Sequence, residues 1–182
     1  MDAISLLMDD HRTVEKLFGQ WEALGTGDQE ERRRVAREII RELAIHAAVE
    51  EQFLYPTVRD RVPDGQNLFE QSLEEHQRVE RILDELDKAE PADPGYDEKV
   101  GQLIRDVSEH VREEENDLLP KLREAVGQED LDRVGNAMEA AKKLAPTHPH
   151  PAAPSTPPGN LVAGPAAGVV DRIRDALRGG DR

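Results

Sequence analysis

Four histidines of the chain, His11, His46, His76 and His110, are each followed four residues later by a glutamate, namely Glu15, Glu50, Glu80 and Glu114. On an α-helix, residues i and i+4 lie one above the other on the same face, so each pair offers a ring nitrogen and a carboxylate oxygen to one point in space. Mixed imidazole and carboxylate donors suit iron, manganese or zinc. The chain contains no cysteine, which excludes thiolate zinc sites, iron-sulfur clusters and disulfides and leaves nitrogen and oxygen as the ligand atoms. The other two histidines, His148 and His150, sit in a Pro-rich stretch without a glutamate partner. They read as part of a solvated linker sooner than as a weak metal site.

A lone His-Glu pair at this spacing is ordinarily a solvated surface contact. Here the pattern holds for every histidine that falls within a helical segment, and these histidines lie on or beside the apolar stripe, which turns them inward. A carboxylate buried with no partner costs several kcal/mol, roughly, and a bound cation removes that cost. The residues His11, His46, Glu50, His76, Glu80, His110 and Glu114 would oversupply a single ion. Two ions bridged by two carboxylates use them better and leave a position open for a small ligand.

The elements that must position these residues are legible from apolar periodicity. Ile4, Leu7, Met8, His11, Val14, Leu17, Phe18 and Trp21 mark a first helix that stops near Gly25-Thr26-Gly27. A second starts after Asp28 as N-cap and runs through Val35, Ile39, Leu43, His46 and Glu50 to Leu54, with Pro56 and Pro63-Asp64-Gly65 as punctuation. A third spans about 67–90 and a fourth about 96–122, with Pro120 near its end. Long amphipathic helices joined by short turns predict an all-α, antiparallel up-down-up-down four-helix bundle over residues 1–124. An additional short helix follows in 125–145, then a Pro-rich linker over 146–160 and a short amphipathic tail helix in 161–182, whose apolar face is Val169, Val170, Ile173 and Leu177. The tail is expected to dock on the bundle, with a partner or a second copy as the alternatives.

The pattern repeats within the chain. Asp10-His11 and its neighbours align with Glu75-His76, and His46-x3-Glu50-Glu51 followed by Pro56 aligns with His110-x3-Glu114-Glu115 followed by Pro120, at nearly the same offset. Helices one and two therefore read as a copy of helices three and four.

Composition narrows the function classes. Aromatic residues make up only 3%, against a β-sandwich, and the formal charge of -15 repels phosphate backbones and anionic membranes, so neither nucleic acid nor membrane is expected as a partner. No stretch approaches the length of a membrane span, and the first residues carry acids without a basic run before an apolar segment. A cytoplasmic protein, monomeric or homodimeric, is the expectation.

These motifs together resemble the hemerythrin-like family, also called hemerythrin HHE cation-binding domains, over roughly the first two thirds of the chain. The marks are His11, His46-x3-Glu50 before Leu54-Tyr55-Pro56, Glu75-His76, and His110-x3-Glu114 before Leu118-Leu119-Pro120. The resemblance implies two non-haem iron ions with an oxo or hydroxo bridge, His11 and His46 on one, His76 and His110 on the other, and Glu50 and Glu114 bridging. At Glu80 the oxygen-carrying members have a further histidine; an anionic ligand there favours the ferric state and lowers reversible oxygen carriage in rank. Glu15 has no ligand counterpart in the family and is left as an outer hydrogen-bond acceptor. The resemblance thus implies handling of a small oxidant in oxidative or nitrosative stress defence, hydrogen peroxide first, dioxygen or nitric oxide next, with catalase-like or peroxidase-like activity. A metal- or oxygen-responsive sensing module whose tail contacts a partner is the alternative, and iron storage a weaker one. Tyr55 reads as a packing residue first and as a hydrogen-bond donor to a bound oxygen species second.

Overall fold

The structure is a computed structural model, described here for residues 1–152 together with Gly168 and Asp171. The expected tail helix lies outside the described residues. Seven α-helices are described: α1 (Ala3–Leu24), α2 (Gln29–Val49), α3 (Tyr55–Arg61), α4 (Gly65–Lys88), α5 (Tyr96–Glu113), α6 (Leu119–Ala125) and α7 (Gln128–Lys142). A single π turn joins α2 to α3 at Glu50–Leu54, and a second joins α5 to α6 at Glu114–Leu118. The bundle is therefore built of four rods: α1, α2 with α3, α4, and α5 with α6.

Local chemistry sets the ends. Asp2 caps α1 by accepting the Ser5 N–H at 2.9 Å, and Asp28 caps α2 by accepting those of Glu30 and Glu31. Gly25, at φ 54, ends α1 in a backbone region that glycine enters without strain. At the turn from α3 into α4 a Cβ on Gly65 would lie 2.2 Å from the Val58 carbonyl oxygen, so only glycine lets these two backbones approach. α1 packs on α2, α3 on α4, and α4 on α5, the antiparallel neighbours expected of short connections.

Two expected helix ends are corrected. The second rod does not stop at Leu54 but continues to Arg61, and the fourth runs beyond Leu122 to Ala125. In each, the π turn ends one residue short of a proline, Pro56 or Pro120. Proline has no N–H to donate, so an α-helical register would leave a carbonyl unpaired there. The π turn hands Glu50 O to the Tyr55 N–H and Glu114 O to that of Leu119, and the proline then starts a fresh helix in its first turn, where no donor is needed.

The apolar interior falls into two clusters. One gathers Leu7, Val49, Leu54, Val58, Leu118, Leu122, Leu131 and Met138 among others; the second gathers Val14, Phe18, Trp21, Ile39, Leu83, Tyr96, Leu103 and Val107 among others. Between them, along α1, α2, α4 and α5 and at the starts of the two π turns, come the histidines and glutamates. α7 is an added layer on α1, seated at Gly135, whose Cβ would be 2.4 Å from the Met1 carbonyl oxygen.

Candidate metal centre

Each rod delivers ligand-type side chains to one buried layer. α1 brings His11, α2 brings His46, α4 brings His76 and α5 brings His110, all between 2% and 8% exposed, while the starts of the two π turns bring Glu50 at 0% and Glu114 at 2%. Donor atoms of His11, His46, Glu50 and Glu114 lie within 4.8 Å of one another, as do those of Glu50, His76 and His110. Glu50 belongs to both groups. His76 Nε2 and His110 Nε2 are only 3.3 Å apart, and Glu114 Oε2 lies 3.4 Å from His11 Nε2 and 3.9 Å from His110 Nε2.

These residues fit a pair of cations. His11 Nε2, Glu50 Oε1 and Glu114 Oε2 are buried and have no hydrogen-bond partner among the described residues. Unsatisfied polar atoms of this kind are rare and expensive in a native interior. A cation bound by both groups would satisfy all three, and the donor set of imidazoles and carboxylates is of the type that holds iron or manganese.

The electrostatics of the metal-free layer agree. Burial alone would lower the pKa of His46, but the Glu50 charge and Asp10 outweigh it and raise it to about 10. His76 reaches about 10 in the same way, burial being outweighed by Glu50 and Glu51. Glu50 moves in the opposite sense: burial would raise it, and His46 and His76 hold it well below the ordinary carboxylate value. Without metal, protons on His46 and His76 would stand in for the cations. Stability from His46 and His76 is therefore fully present below the unfolded pKa of 6.5 and is lost as pH rises through about 10. Stability from Glu50 is present above 4.5 and lost below it. Chelator-treated protein should thus melt at its highest temperature between those limits and at steadily lower temperature from pH 7 to 10. A flat or rising melting temperature over pH 7 to 10 would show that the histidines are already neutral.

Glu80 is not brought into either group. Its Oε1 instead accepts the backbone N–H of His150 at 3.0 Å, and its pKa is raised by burial against that hydrogen bond. Glu15 is exposed. His148 and His150 depart from the solvated linker expected of them: His148 is 7% exposed with Nδ1 3.0 Å from Asp87, and His150 Nε2 lies 2.9 Å from the buried Asp171, which also accepts the backbone N–H groups of Thr147 and His148.

The structure moves Tyr55 from the packing role ranked first to the hydrogen-bonding role ranked second, and adds a set of carboxylates not read from the sequence. The Tyr55 hydroxyl is fully buried in the layer, 2.8 Å from His76 Nε2, 3.4 Å from His110 Nε2, 3.2 Å from Glu114 Oε1 and 3.3 Å from Glu50 Oε2. Burial and the charges of Glu114 and Glu50 hold its phenol well above the ordinary value, hence protonated. The repeat offers a signal, since the matching residue in the second copy is Leu119, which has no polar atom. Around the layer, carboxylates face the histidine Nδ1 atoms: Glu115 at 2.9 Å from His11, Glu51 at 3.2 Å from His76, Glu75 at 2.8 Å from His110 and Asp10 at 3.6 Å from His46. Each sits beside a ligand in sequence, directly before a histidine or directly after a glutamate.

Comparison with known proteins agrees with this geometry. The chain is 27% identical over 172 residues, 94% of its length and 84% of the relative's, to an uncharacterized hemerythrin-like protein of Schizosaccharomyces pombe. It is 28% identical over 142 residues to a DNA nickase of Nostoc, covering 78% of this chain but only 39% of that one. A crystal structure of a hemerythrin HHE cation binding domain-containing protein from Mycobacterium kansasii shares the fold, with a TM-score of 0.68 at 24% identity over 78% of this chain and 85% of that chain. The sequence profile described as Hemerythrin HHE cation binding domain matches residues 2–122, the span that supplies every histidine and glutamate of the buried layer, and the chain belongs to that family.

Proposed function

We propose that the protein is a non-haem di-iron protein that consumes a small oxidant, hydrogen peroxide first and dioxygen or nitric oxide next, in oxidative or nitrosative stress defence. The supporting observation is the pair of buried donor groups sharing Glu50, with a protonated tyrosine hydroxyl at their junction. His11, His46, Glu50 and Glu114 would hold one ion, and Glu50, His76 and His110 the other, with Tyr55 beside them. Two iron ions bound there would supply the redox couple that disposal of an oxidant requires. The chain's own part is to hold these donors inward, to exclude bulk water with the fully buried Leu54, Val58 and Val49, and to keep a proton on the Tyr55 oxygen. An enclosed layer of this kind suits a ligand of a few atoms. The working compartment in this reading is the cytoplasm, as expected from the sequence.

A second reading, as a metal- or oxidant-responsive sensing module, is favoured by one contact. Lys142, the last residue of α7, pairs with Asp10, which faces His46, so the added helix reaches the edge of the metal layer. The DNA nickase relative does not move the reading toward nucleic acid, because a charge of -15 disfavours the phosphate backbone.

Metal analysis and the absorption spectrum of protein from iron-replete cells, followed by addition of hydrogen peroxide with oxygen release monitored, test the proposal. About two irons per chain with oxygen release support it. The same iron with no turnover favours sensing, and protein that takes up no iron removes the proposal.

A further inference from the structure

The carboxylates around the metal layer follow a cyclic order. Asp10 on α1 faces His46 on α2; Glu51 in the first π turn faces His76 on α4; Glu75 on α4 faces His110 on α5; Glu115 in the second π turn faces His11 on α1. Each contact crosses from one rod to the next, and the last returns to the first. Helix geometry makes this possible: a neighbour in sequence lies about 100° around the rod from a ligand that points inward, so it points sideways at the adjoining rod.

Burial separates these carboxylates from the ligand glutamates. Glu50 and Glu114 are 0% and 2% exposed, whereas Asp10, Glu51, Glu75 and Glu115 are 16%, 14%, 17% and 33% exposed. The outer set keeps contact with water, and none of its members is in a ligand group. A carboxylate accepting the Nδ1–H of a histidine leaves Nε2 as the donor to the metal and makes the ring a stronger base.

We propose that Glu51, Glu75 and Glu115, with Asp10 as a looser ionic contact that closes the ring, are the positioning residues of the centre, a relay in which each rod orients the next rod's histidine and favours the higher oxidation state of the bound metal. The proposal rests on the di-iron reading above. It also supplies the anionic character expected from Glu80, which the structure directs to the backbone of His150 in the linker. Asp10 is the loosest link, because its Oδ1 is taken by Lys142 and its Oδ2 stands 3.6 Å from His46 Nδ1, beyond hydrogen-bonding distance.

The test uses full-length, iron-loaded protein with Glu75→Gln and Glu115→Gln, the exposed Glu74→Gln as a charge control and Glu75→Asp as the conservative variant. Iron affinity is read by competition with a chelator, and the midpoint potential by spectroelectrochemical titration. Both glutamine variants at ligand-facing positions should bind iron about 10- to 100-fold more weakly and show a more positive potential. Glu74→Gln should match the wild type, and Glu75→Asp should recover most of the difference. Glutamine variants that match the wild type and the control in both readouts overturn the relay alone. A wild-type chain that takes up no iron overturns the di-iron reading together with it.

Discussion

Glu50→Ala should empty the centre of nearly all its iron, while His110→Ala should keep about one ion per chain. The difference follows from sharing. His110 belongs to the group with Glu50 and His76, and its loss leaves His11, His46, Glu50 and Glu114 intact. Glu50 belongs to both groups and is, among the described residues, the one side chain whose removal takes a donor from each. In the metal-free state the damage continues, because His46 Nε2 and His76 Nε2 lie 3.1 Å and 3.3 Å from Glu50 Oε2 and would be left as buried cations without that charge. Losing one partner of a buried pair costs on the order of 3–5 kcal/mol, so a lower melting temperature should accompany the loss of iron. Iron assay and thermal melts on the two variants settle the point, and equal iron loss in both would mean that Glu50 is not shared.

Tyr55→Phe should leave about two irons in place and lower the rate of peroxide consumption by about 100-fold. Phenylalanine fills nearly the same volume, so packing among Leu54, Val58 and their neighbours survives. What disappears is a protonated hydroxyl within 3.4 Å of two histidines and two glutamates, the position from which a proton can be given to a small bound oxidant. Steady-state oxygen release should show the loss mainly in kcat. An unchanged rate would return Tyr55 to the role of a packing residue.

Periodicity carried the bundle well, since apolar spacing at 3.6 residues survives any detail of the ligands. Glycine and aspartate at the turns marked the helix starts, as Asp28 does for α2. Prolines were harder. Pro56 and Pro120 read as helix ends, whereas a π turn before each absorbs the missing donor and lets the rod continue, a choice made by tertiary packing of Tyr55, Val58, Leu119 and Leu122 in the core.

Within the site, His-x3-Glu spacing found the residues that converge because i and i+4 geometry is local. It failed to separate Glu80, which has the same spacing from His76, because the choice of partner there belongs to a distant segment, the backbone of His150. Tyr55 was ranked as packing first and the outer carboxylates were missed for a related reason: their partners lie on other rods, and no spacing along one helix encodes a contact across two. The doubled sequence offers a partial remedy, since an acid stands directly before His11 and His76 and directly after Glu50 and Glu114.

The histidine-glutamate layer divides the apolar interior, with Leu7 on one side and Val14 on the other along α1, and Leu118 and Val107 likewise around α5. In folding terms the chain thus has two cooperative units stacked end to end, each with its own hydrophobic driving force, joined through a seam that supplies almost none. Metal in the seam should make the opening of either unit costly to the other, so that the holoprotein is expected to unfold as one body, while in the apoprotein the two halves are coupled only by the helical rods and the histidine-glutamate pairs of the seam.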